Sequence, residues 1–65
     1  MDFFVHRFLG DWYVRCFDSS RNTAFTVGCD NPTYESNSFD SRAAAERRLE
    51  VVKARHENGE ELRLI

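Results

Sequence analysis

Sixty-five residues leave room for one small domain spanning 1–65, and 42% hydrophobic residues with 14% aromatics are too much apolar material for a disordered chain. Three Gly and one Pro exclude collagen-like and low-complexity architectures, and no apolar run approaches the ~18 residues of a membrane span. A formal charge of −2 lacks the basic excess usual in nucleic-acid-binding domains, and no segment has the form of a signal peptide, so the composition implies a folded cytoplasmic protein that begins at Met1.

Phe3 to Phe8 (FFVHRF) is aromatic and β-branched and predicts a first strand. Leu9-Gly10-Asp11 is a turn, with Gly10 free to take positive φ. Trp12 to Phe17 (WYVRCF) is the second strand, and Asp18 to Asn22 is built from turn-forming residues. Thr23 to Gly28 is a third strand, ended by Asp30-Asn31-Pro32, because proline lacks a donor and restricts its predecessor. Thr33 to Phe39 is polar except at Tyr34 and Phe39 and suits either an edge strand or an ordered loop. Arg42 to His56 predicts a helix capped by Asp40 or Ser41, with Ala45, Leu49, Val52 and His56 on one face. Asn58-Gly59 stops that helix, and Glu61 to Ile65 alternates as a last short strand.

A four-residue loop pairs Asp18 with Thr23, and then Cys16 with Phe25, Val14 with Val27 and Trp12 with Cys29. Apolar residues meet on one face, which the helix stripe covers. In that register Cys16 and Cys29 are too far apart for a disulfide, which needs Cα atoms within about 7 Å. They read as two buried, reduced thiols, suited to a reducing compartment. The fold class is therefore α+β: an antiparallel sheet of three to five strands packed against one helix in the C-terminal half.

No motif of catalysis stands out. Cys16, Cys29, His6 and His56 show none of the paired spacings of a zinc site, so no metal or other cofactor is implied. Phosphate loops, EF-hand loops and HExxH are missing, and a chain this short rarely encloses a substrate pocket. The reading is therefore non-enzymatic.

Recognition residues are easier to nominate. Tyr13, Arg15 and Phe17 point away from the core face of the second strand, and Phe3 or Phe4 does the same on the first. Exposed aromatics beside arginine are typical of binding surfaces. Charge is uneven: residues 1–40 carry a net −3, residues 41–56 a net +3 and residues 57–65 a net −2. Asp11, Asp18, Asp30, Glu35 and Asp40 supply the acidic half and could meet a basic groove on a partner. The helix cations can pair along the helix at three-residue spacing, Arg47 with Glu50 and Glu50 with Lys53.

Trp12, Val14, Phe17 and Asp18, followed by Ser38-Phe39-Asp40-Ser41, Ala44-Ala45-Glu46 and Leu49, resemble the arm-type DNA-binding domain of tyrosine recombinases over residues 12–50. That resemblance implies a three-stranded sheet and one helix, with Tyr13, Arg15 and Thr26 facing the major groove. The family's strands and turns are usually basic, whereas this region is net acidic. In size, charge and architecture the chain also resembles small phage-encoded inhibitors, including anti-CRISPR proteins. This second resemblance implies a protein-binding module that blocks a nucleic-acid-handling complex of a host. The alternative is a small DNA-binding domain using the outer sheet face and the helix arginines. A homodimer through a Phe3, Tyr13 and Phe17 face is a third possibility. A membrane partner is not implied.

Overall fold

The computed structural model describes residues 1–65 and builds its sheet outward from one hairpin. Strands β1 (Asp2–Phe8) and β2 (Asp11–Asp18) pair antiparallel in an unbroken register from Asp2↔Phe17 to Phe8↔Asp11. Only Leu9 and Gly10 separate them, and both take positive φ, 51° and 86°. That is the backbone of a type I′ turn, whose twist matches that of the flanking strands. Asp11 is therefore the first residue of β2 and not part of the turn, because two residues suffice to reverse the chain.

Strand β3 (Thr23–Thr26) follows in the expected register, Asp18↔Thr23 and Cys16↔Phe25. Asp18 shapes the connecting loop by accepting from both the Ser20 N–H (3.0 Å) and the Ser20 hydroxyl (2.6 Å). Asn22 adopts φ 51° in that loop, a left-handed conformation its short polar side chain tolerates.

The pairing of Trp12 with Cys29 does not form. The Val27 N–H still donates to the Val14 carbonyl at 2.8 Å, and there the third strand departs from β2. Gly28 donates instead to the Arg63 carbonyl (2.6 Å), and the Cys29 N–H donates to Asn37 Oδ1 (2.8 Å). With those donors taken elsewhere, β4 (Ser38–Phe39) occupies the rest of the β2 edge through Trp12↔Phe39 and Tyr13↔Ser38. Residues 33–39 thus combine both expected forms, an ordered loop turning on Asn31 and then a short strand. The segment Glu61–Ile65 is less than the strand expected, a single bridge from Leu64 to Val27 flanked by the mutual bonds of Thr26 and Ile65.

Helix α1 (Arg42–Glu57) is capped by Ser41, whose hydroxyl accepts from the Ala44 N–H at 3.2 Å; Asp40 lies outside it. At the other end Gly59 has φ 77° and donates to His56, while Glu60 donates to Arg55. These paired bonds form a Schellman motif. The helix buries Ala45 and Val52 fully, and Val52 packs with Val14, Cys16 and Val27 on one face of the sheet. Phe3, Phe25, Phe39, Leu49, Leu62 and Leu64 pack around that centre. Both cysteines are buried and unbridged. No helix is long and apolar enough to cross a membrane.

Candidate interaction face

Side chains alternate across a strand, so the helix-covered face takes Phe3 and Val5 from β1 with Trp12, Val14 and Cys16 from β2. The opposite face takes Phe4, His6 and Phe8 with Tyr13, Arg15 and Phe17. The one helix lies on the other side, so this outer face has no second layer.

Register sets Arg15 at its centre. Phe4 stands across from it on β1 and Thr26 on β3, while Tyr13 and Phe17 flank it along β2. His6 stands across from Tyr13, which also meets Ser38 of β4. Phe4 is 37% exposed and Phe8 57%, so the β1 side of the face is open apolar surface. Tyr13, Arg15 and Phe17 are half-buried, less exposed than strand alternation alone implies. Arg15 Nε is shielded from solvent and lacks a hydrogen-bond partner. Such a donor costs about 1–3 kcal/mol, which an ordinary packing position would avoid by carrying an apolar residue.

Phe3 does not belong to this face. Its ring packs edge-on against His56 of α1 at 5.1 Å between centroids, inside the helix-covered layer. Phe4 takes the outward position instead, and the β1–β2 register decides between them.

The acidic residues nominated from the sequence are dispersed. Asp11 and Asp18 end β2, and Asp40 is exposed just before the helix cap. Asp18 is committed to its loop, with Arg21 at 3.6 Å, and the Ser20 hydroxyl bond holds its carboxyl below the ordinary range. Glu35 closes the next loop by accepting from the Asn31 N–H at 2.8 Å. Asp30 binds Arg55 and Arg48 of the helix, the latter at 3.0 Å, and these bonds, Arg55's foremost, hold its pKa at about 2.

Four of the five helix cations are similarly occupied. Arg42 bonds Glu46 at 3.0 Å and lies over the Trp12 ring, 5.7 Å from its centroid. Lys53 approaches Glu50 at 3.9 Å, as its spacing suggests, but Arg47 forms no ion pair with Glu50. The opposition between an acidic sheet half and a basic helix is thus partly cancelled inside the molecule, chiefly at Asp30. Sequence reasoning missed that contact, although Arg48 and Arg55, seven residues apart, lie on one helix face and offer a signal.

No three His, Cys, Asp or Glu side chains come together as a metal-binding group. Comparison with protein-family models, with curated proteins and with solved structures finds no match.

Proposed function

We propose that the chain is a non-enzymatic protein-binding module that uses the outer sheet face centred on Arg15. The observation that carries this reading is the placement of Phe4, Tyr13 and Phe17 around Arg15 on the face the helix leaves open. Aromatic residues and arginine anchor protein interfaces, the rings by burying large area and the guanidinium by its fork of directed donors. Asp11 at one end, with the exposed Glu35 and Asp40 nearby in sequence to β4, favours a partner with basic surface. A small cytoplasmic inhibitor from a phage or mobile element, comparable to anti-CRISPR proteins, fits these features. It would cover a basic surface on a host complex that handles nucleic acid. Two unbridged thiols accord with that compartment.

The test is affinity capture from host lysate, with and without nuclease, using the wild type and folded variants. Capture of a protein complex should survive nuclease, weaken on reversing Asp11, Glu35 and Asp40, and be lost in Arg15→Ala. Capture indifferent to Arg15→Ala discards this face.

A DNA-binding module is the second reading, and Tyr13, Arg15 and Thr26 do share the outer face, with Arg15 opposite Thr26. It requires steeply salt-dependent duplex binding that falls in Arg15→Ala. Failure to bind any duplex at low salt removes it.

A further inference from the structure

One long edge of the sheet has no partner. β2 pairs with β1 along its whole length, whereas β3 and β4 join the far edge of β2, and residues 63–65 join β3. In a two-residue hairpin the closing pair, here Phe8 and Asp11, is hydrogen-bonded. Phe8, His6, Phe4 and Asp2 therefore turn their backbone groups toward β2. Phe3, Val5 and Arg7 turn theirs outward.

Proteins guard such edges with proline, charged side chains, a bulge or brevity. β1 has seven residues with no Pro, its register with β2 contains no bulge, and its charges, Asp2 and Arg7, sit near its two ends. The strand is also complementary to itself. We infer that β1 pairs antiparallel with β1 of a second copy of the chain, about a two-fold axis at Val5.

In that register Val5 faces Val5, Phe3 faces Arg7, Phe4 faces His6 and Asp2 faces Phe8. All three outward N–H groups and all three outward carbonyls of each strand find partners. Arg7 of each copy stands opposite an aromatic ring, and no like charges meet. Asp2 comes diagonal to His6 of the second copy on the outer face. Moving the axis to Arg7 sets two guanidinium groups against each other, and moving it to Phe3 confines the overlap to Asp2–Phe4 of each strand. The contact is isologous and uses the free β1 edge of both copies, so it closes as a dimer and does not propagate. The two sheets become one, and the two Arg15 faces become one continuous surface. The dimer stands or falls independently of what that surface binds.

Sedimentation equilibrium across a concentration series, with amide exchange followed residue by residue, tests this. A dimer is expected in which the Phe3, Val5 and Arg7 amides exchange at least ~10-fold more slowly than at dilutions where the monomer dominates. Val5→Cys should cross-link two copies on mild oxidation, since facing hydrogen-bonded residues have Cα atoms about 5.5 Å apart. Asp2→Cys should not. Val5→Pro removes an outward N–H without touching a β1–β2 bond and should yield a folded monomer. A monomer at every concentration overturns the inference. So does a dimer in which those three amides remain fast, or one that cross-links through Asp2→Cys and not through Val5→Cys.

Discussion

Asp30 accepts a hydrogen bond from Arg55, twenty-five residues later in the chain, and so ties the loop after β3 to the last turns of the helix. Arg48 binds the same carboxylate. The carboxyl pKa, about 2 in the fold, lies below the roughly 3.9 of an unfolded aspartate. The contribution is therefore fully present above pH ~4 and disappears as pH falls toward ~2. The Asp30 side chain is 45% exposed, so solvent screening limits the pair; Asp30→Asn should cost on the order of 1 kcal/mol at neutral pH. Urea midpoints for the two proteins should differ at pH 7 and converge as pH approaches 2.

Leu9 holds positive φ at the hairpin tip and is 88% exposed, so it pays for its conformation with no packing in return. Asparagine tolerates that conformation better, and Asn-Gly is the preferred pair for this turn. Leu9→Asn should raise stability by about 0.5–1 kcal/mol, lifting the melting temperature by several degrees. A lower melting temperature would show that Leu9 packs in a way its exposure does not suggest.

Ser41 and Asp40 are adjacent, and only Ser41 caps the helix. Ser41→Ala should cost about 1 kcal/mol, whereas Asp40→Ala should leave the denaturation midpoint nearly unchanged. Equal losses from the two substitutions would mean that the cap is shared.

Cys16 is fully buried, and desolvation pushes its thiol pKa above the ordinary value. Since the thiolate is the reacting form, aromatic disulfide reagents should label Cys16 only as fast as the protein opens. Cys16→Ser places a more polar group in the core and should cost about 1–3 kcal/mol. Rapid labelling of Cys16 in the folded protein contradicts its placement.

The first hairpin, the β2–β3 register and the helix were legible because each rests on local rules. Alternation in Trp12, Val14 and Cys16 defines the buried face, and Asp18 and Gly59 mark chain reversals. What escaped was competition between distant segments. Phe39 rather than Cys29 reaches Trp12, because Asn37 takes the Cys29 N–H from eight residues away. The outward position of Arg15 follows from strand alternation, but its half-buried setting depends on three strands at once. The Asp30 clasp depends on where an entire loop comes to rest.

β2 has consequences for the order of folding. It pairs with β1 along one edge and with β3 and β4 along the other, and its partner β1 is the nearest in sequence. Closure of that hairpin is a local event on the microsecond scale, while β4 must first bring a longer loop back to Trp12. Assembly should therefore proceed outward from β2, with the Phe39 contact among the last made. Substitutions at Val14 should slow folding, whereas those at Phe39 should mainly hasten unfolding.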